Sequence, residues 1–154
     1  MTLLASILRR ALVSGSAAAV AAAARAPAEG STPYAPINAV THSLWPRRAF
    51  SETGPSARFT LTGLAIHQAA AVFWGLLFEA LLARRRNTNG ARPGAAAIAA
   101  AAGTTAAVAY VVDYHAVPKR LTPGFEAHLS GRSMFLIYAA LAAGFAAAAL
   151  RRKE

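Results

Sequence analysis

The sequence predicts an all-α membrane protein, a polytopic transmembrane helical bundle of four spans that forms a single domain over residues 1–154. Only 14% of the residues are charged, whereas soluble domains carry about 25%. The mean hydropathy is +0.38. Long uncharged, alanine-rich stretches end at arginine clusters, and ~20 such residues in a helix cross a hydrocarbon core of about 30 Å. The chain contains no cysteine, which excludes disulfides, thiolate zinc sites and iron–sulfur clusters.

Residues 1–26 form either the first spanning helix or a cleaved signal segment. The apolar stretch 11–24 follows the pair Arg9 and Arg10, and residues 24–26 fit a small-x-small cleavage site. We expect a retained helix, since a signal segment is uncommon ahead of several further spans.

Residues 27–60 are predicted to form an external segment in the lipid headgroup region. The segment mixes prolines with Trp45, Phe50 and the pair Arg47 and Arg48. Amphipathic stretches with aromatic and basic residues favour the membrane interface. The segment has too few apolar residues for a hydrophobic core of its own.

The second predicted helix covers residues 61–83 and ends at the arginine run 84–86. The third covers residues 95–117, because Pro118 disfavours helical geometry in the residue before it.

The fourth predicted helix covers residues 123–150, followed by the basic residues 151–153. Thr122 and Pro123 fit an N-cap and a first helical position, with Glu126 in the first turn.

Small residues recur at every fourth position on three of these helices. On the first helix, if it is retained, the row is Gly15, Ala19 and Ala23. On the second helix the row is Gly63, His67, Ala71 and Gly75, and on the third it is Ala99, Gly103 and Ala107. Such rows let transmembrane helices approach closely. We therefore expect the row on the second helix to mark a contact between helices. The row on the third helix leads us to place that helix at the centre of the bundle.

The basic residues indicate the orientation of the chain. Lys and Arg are denser on the side that holds residues 9–10, 84–92 and 151–153, so the positive-inside rule predicts a cytoplasmic location for it. This composition indicates a multi-pass protein of the bacterial inner membrane, with the lipid bilayer as its first partner. Nucleic-acid binding is not expected despite the charge of +10, because the cations lie at the ends of hydrophobic spans.

Ionisable residues at membrane depth are the candidates for a functional site, since each costs ~2.5 kcal/mol or more without a partner. The predicted orientation brings most of them to the outer face. The candidate metal or proton site consists of His67, Asp113, His115, Glu126 and His128.

Several of these residues also have structural interpretations. The His67 imidazole is expected to hydrogen-bond to a threonine or tyrosine of a neighbouring helix. Asp113, at the unfavourable carboxyl end of a helix dipole, is expected to form an ion pair with one of three cations, namely Lys119, Arg120 or Arg132. A haem held by two histidines is less favoured, and the cofactor is unknown. Glu79 is expected to be a paired interfacial carboxylate near the arginine run, and Trp74 and Tyr138 to be packing residues.

Two segments carry a resemblance to known proteins. YVVDYHAVPKRLTPGFEAHLS at residues 110–130 and TGLAIHQAAAVFWGLLFEALL at 62–82 resemble small bacterial integral membrane proteins of uncharacterised activity. The resemblance covers about half of the chain. It implies an integral-membrane protein and no catalytic residue.

Two functions remain open from the sequence. The first is a structural or accessory membrane component without catalysis, acting in a homo-oligomer or a larger membrane complex. The alternative is a proton or metal-ion handling protein that uses the His and carboxylate cluster at the outer face. An enzyme is less expected, because no complete set of nucleophile, base and orienting group is present.

Overall fold

The computed structural model describes residues 2–151, and this part of the chain is helical without strands. The α-helices are α1 (Leu3–Arg25), α2 (Ala35–Ala39), α3 (Thr62–Asn89), α4 (Ala95–Val111) and α5 (Gly131–Leu150). The longer helices α1, α3, α4 and α5, extended by adjoining turns, are long and apolar enough to cross a membrane. The predicted class, a helical bundle with four spans, is confirmed.

The four long helices pack as neighbours in the cyclic order α1, α3, α4, α5, and the contact between α1 and α5 is the most extensive. Contacts between residues early in α1 and late in α3 show that these helices are antiparallel, as are α1 and α5. The start of α1, the α3–α4 connection and the end of α5 therefore share one end of the bundle. We call this the termini end, and the opposite end the cap end.

The small-residue row of the second helix packs against α1 and α2, as predicted. A Cβ at Gly75 would lie 3.5 Å from the Cβ of Ala11, and Gly63 lies directly against the backbone carbonyl of Ile37. Ala71 of the same row lies beside a glycine of α1. The prediction that this row marks a helix contact is confirmed.

The prediction for the small-residue row of α4 is wrong. Ala99, Gly103 and Ala107 are exposed, and Gly103 has open space around it. The buried face of α4 instead includes Ala102 and Ala109. Nearly every face of this helix consists of small residues, so small-residue spacing could not select the face that packs.

The fourth long helix begins at Gly131 rather than at residue 123. Ser130 caps it, with its side chain accepting from the Ser133 amide. Gly124 has φ of 80°, a left-handed conformation that interrupts a right-handed helix. The Thr122-Pro123 pair therefore belongs to the connection and does not start the helix. At the other end of the bundle, α3 continues to Asn89, beyond the arginine run at which it was predicted to stop.

Residues 26–61 pack onto the helix ends at the cap end of the bundle. They contribute α2 and short turns, including Ala26–Glu29 and Val40–Ser43. Asn38 is fully buried, and its amide nitrogen donates to the carbonyls of Glu52 and Gly54. These hydrogen bonds and the adjoining helix ends order a segment that has too few apolar residues for a core of its own.

Candidate functional site

A cavity of about 150 Å³ lies at the cap end of the bundle. Its wall is mainly apolar and includes residues from α1, α3 and α5, the turn after α4 and the capping segments. The residues that bear on its chemistry are His67, Trp74, Asp113, Phe125 and Tyr138. We call this space the cap-end cavity.

His67 reaches the cavity from α3. Its Nε2 lies 2.9 Å from the carbonyl oxygen of Gly15 in α1. Because a carbonyl oxygen can only accept a hydrogen bond, Nε2 carries the proton and donates it. A neutral imidazole with this tautomer keeps Nδ1 as an acceptor. The predicted threonine or tyrosine partner is wrong. A backbone carbonyl takes its place, because a glycine at position 15 lets the two helices approach closely.

Asp113 reaches the same cavity from the turn Val112–Ala116 that follows α4. This turn is a π-helix, a wider form that is frequent at functional sites. The hydroxyl of Tyr138 in α5 donates to Oδ2 of Asp113 over 2.6 Å. Asp113 is thus held by a neutral donor from the neighbouring helix.

The predicted ion pair of Asp113 is not formed. Within residues 2–151 the ion pairs are Arg10 with Glu79, Arg25 with Glu29, and Arg48 with Glu52. Arg120, one of the predicted partners, donates through Nε to the carbonyl of Ser43 over 3.1 Å. The Asp113 carboxylate therefore lines an apolar cavity without a cationic side chain paired to it.

The other three predicted site residues lie outside the cavity wall. His115 is exposed, and its ring meets the edge of Tyr110 with 5.7 Å between centroids. Glu126 is exposed and accepts from the Thr122 hydroxyl over 3.1 Å. In the part of the chain that the structure describes, three or more potential ligands do not gather into a metal-binding group. Of the five candidates, His67 and Asp113 thus line the cap-end cavity, whereas Glu126 and His128 line a separate surface pocket.

Two functional residues were assigned to packing at the level of sequence. Tyr138 fixes the Asp113 carboxylate, and Trp74 forms part of the cavity wall. A signal for Tyr138 was present, because a tyrosine hydroxyl at membrane depth needs a hydrogen-bond partner. The partner could not be chosen from sequence, since it depends on the relative depth of α4 and α5.

A second buried polar group lies toward the termini end. Arg10 of α1 and Glu79 of α3 form an ion pair, and their side chains are 15% and 12% exposed. The Arg10 guanidinium also lies over the ring of Phe78, 5.9 Å from its centroid. Glu79 is therefore paired as predicted, but its partner comes from α1 and not from the arginine run.

His128 lies in a surface pocket at the cap end, separate from the cap-end cavity. Its Nδ1 is 3.2 Å from the Ser31 hydroxyl, and Glu29 and Glu126 line the same surface pocket. Burial lowers the pKa of His128 below its ordinary value. The folded protein therefore binds a proton at this position less readily than the unfolded chain does.

The effect of His128 on stability is expected to appear on acidification. Above about pH 6.5, the ordinary pKa of histidine, the imidazole is neutral in both states. As the pH falls further, the unfolded chain takes up the proton first, and stability is lost until the lowered folded-state pKa is passed. The thermal midpoint of the purified protein, measured from pH 8 to pH 5, should fall less in His128→Gln than in the wild type. His115→Gln removes an exposed histidine at the same end and should keep the wild-type profile. An unchanged profile in His128→Gln would contradict the prediction.

In comparisons with protein-family models, curated proteins and solved structures, nothing matches this chain. The fold itself defines the class, a multi-pass membrane protein built as a bundle of four long helices. Within that class, the cap-end cavity is the candidate site.

Proposed function

We propose that the chain is an accessory multi-pass protein of the bacterial inner membrane whose cap-end cavity binds a small organic cation. The proposal rests on Asp113, a carboxylate that lines a mainly apolar cavity and has no cationic partner within residues 2–151. A charge at membrane depth is costly unless it is paired. A cationic ligand would supply the missing counter-charge.

The other polar and aromatic groups of the cavity also suit a cation. Trp74, Phe125 and Tyr138 are part of its wall, and aromatic faces attract ammonium groups, most strongly where water is excluded. His67 contributes Nδ1 as an acceptor, because Nε2 donates to Gly15. The cavity therefore offers a carboxylate, a neutral acceptor and aromatic rings, and this combination favours an alkylammonium group over an anion.

The volume limits the size of the ligand. Apolar cavities of ~150 Å³ in proteins accept molecules of the size of benzene, and the cap-end cavity has about this volume. Methylammonium and tetramethylammonium are within this limit.

The packing of the bundle on the termini side of the cavity favours binding of a cation over its passage across the membrane. Phe78 lies one turn beyond Trp74 on α3, and its ring stacks on Phe145 of α5 with 4.9 Å between centroids. Both phenylalanines are fully buried. On α3, Phe78 thus lies between Trp74 of the cavity wall and Glu79 of the ion pair, and its ring packs against α5.

Isothermal titration with tetramethylammonium chloride tests the proposal on the full chain in lipid nanodiscs, with sodium chloride as the reference salt. Charged hydrogen-bonding partners contribute roughly 1.5–3 kcal/mol, so Asp113→Asn is expected to weaken binding at least about tenfold. Glu126→Gln removes an exposed carboxylate at the same end and should bind as the wild type does.

Equal binding by the wild type and Asp113→Asn would contradict the proposal, as would an equal loss in Glu126→Gln. Proton release or uptake that depends on Asp113, without any binding of the cation, would favour proton handling instead.

A further inference from the structure

A groove of about 410 Å³ lies between α3 and α4 at the termini end. It is separate from the cap-end cavity and shares none of its lining residues. Its polar lining comes from Arg84, Arg85, Thr88 and Thr104. Its apolar lining is Leu81, Ala100 and Ala101.

The groove exists because α4 has short side chains where it faces α3, and α3 has long ones. Ala100 and Ala101 carry only a methyl group, whereas α3 contributes Leu81 and two arginines. Since α3 also continues to Asn89, its arginines stay on a regular helix beside α4. Space thus remains between the two helices at the point where the basic residues lie.

The groove is positively charged, and within residues 2–151 its arginines are not paired with an acidic side chain. Arg84 and Arg85 take part in none of the ion pairs formed within residues 2–151. Glu79, the nearest acid earlier on α3, is paired with Arg10. Two guanidinium groups are suited to a phosphate, because arginine donates to phosphate oxygens in a bidentate manner. The Thr88 hydroxyl donates to the Arg84 carbonyl over 2.8 Å.

The position of the groove along the spanning helices indicates that the phosphate belongs to a lipid headgroup. Arg84 and Arg85 lie at the end of the apolar span Ala57–Arg86, and Leu81 lies one turn deeper in the same span. The two arginines are therefore at headgroup level, and Leu81 of α3 and Thr104 of α4 lie deeper, at the level of acyl chains. Basic pockets between transmembrane helices bind anionic lipid headgroups in this way.

We infer that this groove is a binding site for an anionic phospholipid. The phosphate is held by Arg84 and Arg85, and the first part of an acyl chain lies along Leu81, Ala100 and Ala101. The site is independent of the cation proposed for the cap-end cavity. It gives the basic residues of this end a specific role besides orienting the chain in the membrane.

Native mass spectrometry of the full chain, released from nanodiscs that contain equal amounts of phosphatidylglycerol and phosphatidylcholine, tests the site. The wild type is expected to retain phosphatidylglycerol in preference to phosphatidylcholine. Arg84→Gln with Arg85→Gln should reduce that retention at least fivefold. Arg92→Gln with Arg151→Gln removes the same charge outside the groove and should retain the lipid.

A second pair of variants tests the groove without changing charge. Ala100→Leu fills the groove and should reduce retention, whereas Ala99→Leu, on the adjacent exposed position outside it, should not. The inference is overturned if both arginine pairs lower retention equally, since that shows attraction by net charge alone. It is also overturned if Ala100→Leu retains the lipid fully, or if inorganic phosphate at 10-fold excess over lipid displaces it, since a free anion would then be the ligand.

Discussion

Replacing Glu79 with alanine is expected to destabilise the folded bundle by about 1–3 kcal/mol, the cost of leaving a part-buried hydrogen-bond donor without its partner. The Arg10 side chain is only 15% exposed, and α3 covers it on the side where Glu79 lies. Without the carboxylate, the guanidinium stays at membrane depth beside the ring of Phe78. The free energy of unfolding, measured by titrating sodium dodecyl sulfate into mixed micelles, gives the effect directly.

Two control variants distinguish the effect of burying an ion pair from the effect of removing a charge. Glu52→Ala breaks the pair with Arg48, whose side chain is 66% exposed, and exposed pairs contribute only about 0–1 kcal/mol. The double variant Arg10→Met with Glu79→Leu removes both charges together and should recover most of the lost stability. A Glu79→Ala variant no less stable than Glu52→Ala would show that the buried pair contributes little.

Gly144→Ala is expected to destabilise the contact between α1 and α5, the most extensive contact in the bundle. A Cβ at position 144 would lie 2.5 Å from the Cα of Ser14 and 3.1 Å from its amide nitrogen. The opposing atoms are backbone, so the two helices must move apart to admit the methyl group. The hydroxyl of Ser14 also donates to the Leu141 carbonyl over 2.6 Å, a bond that such a movement lengthens. Overpacking of this kind costs about 1–3 kcal/mol.

Gly103→Ala is the matched control for Gly144→Ala. It adds the same methyl group to a transmembrane helix at a position with open space around it. Because alanine favours a helix over glycine by about 0.8–1.0 kcal/mol, the control should be neutral or more stable. The same unfolding titration measures both variants. Equal free energies of unfolding would mean that the helices α1 and α5 adjust without cost.

The two ends of the bundle thus have different chemistry. The cap end contains a cavity with a carboxylate and an imidazole, and the termini end opens a basic groove between α3 and α4. On α3, Phe78 lies between Trp74 of the cavity wall and Glu79 of the ion pair, and its ring packs against Phe145 of α5. Variants of one end are therefore expected to leave ligand binding at the other end unchanged.

The sequence by itself determined the class of fold and the approximate helices. Hydropathy and helix length are local properties, so the alanine-rich stretches between arginine clusters were sufficient to predict four spans. The contact of the Gly63 to Gly75 row was also predictable, because this row is bounded by larger residues on its own helix. The cost of ionisable groups in lipid similarly identified His67 and Asp113 as residues that need partners.

Only the tertiary structure decided which groups meet. His67 bonds to the Gly15 carbonyl, and Asp113 accepts from Tyr138. These pairings join helices far apart in sequence, and they depend on relative depth and rotation, which no local pattern encodes. The same reason explains the errors on α4 and on the start of α5. Nearly uniform alanine leaves the rotation of α4 open. Gly124 has a left-handed backbone, and the Ala39 carbonyl, which tertiary packing brings against it, leaves no room for a Cβ there.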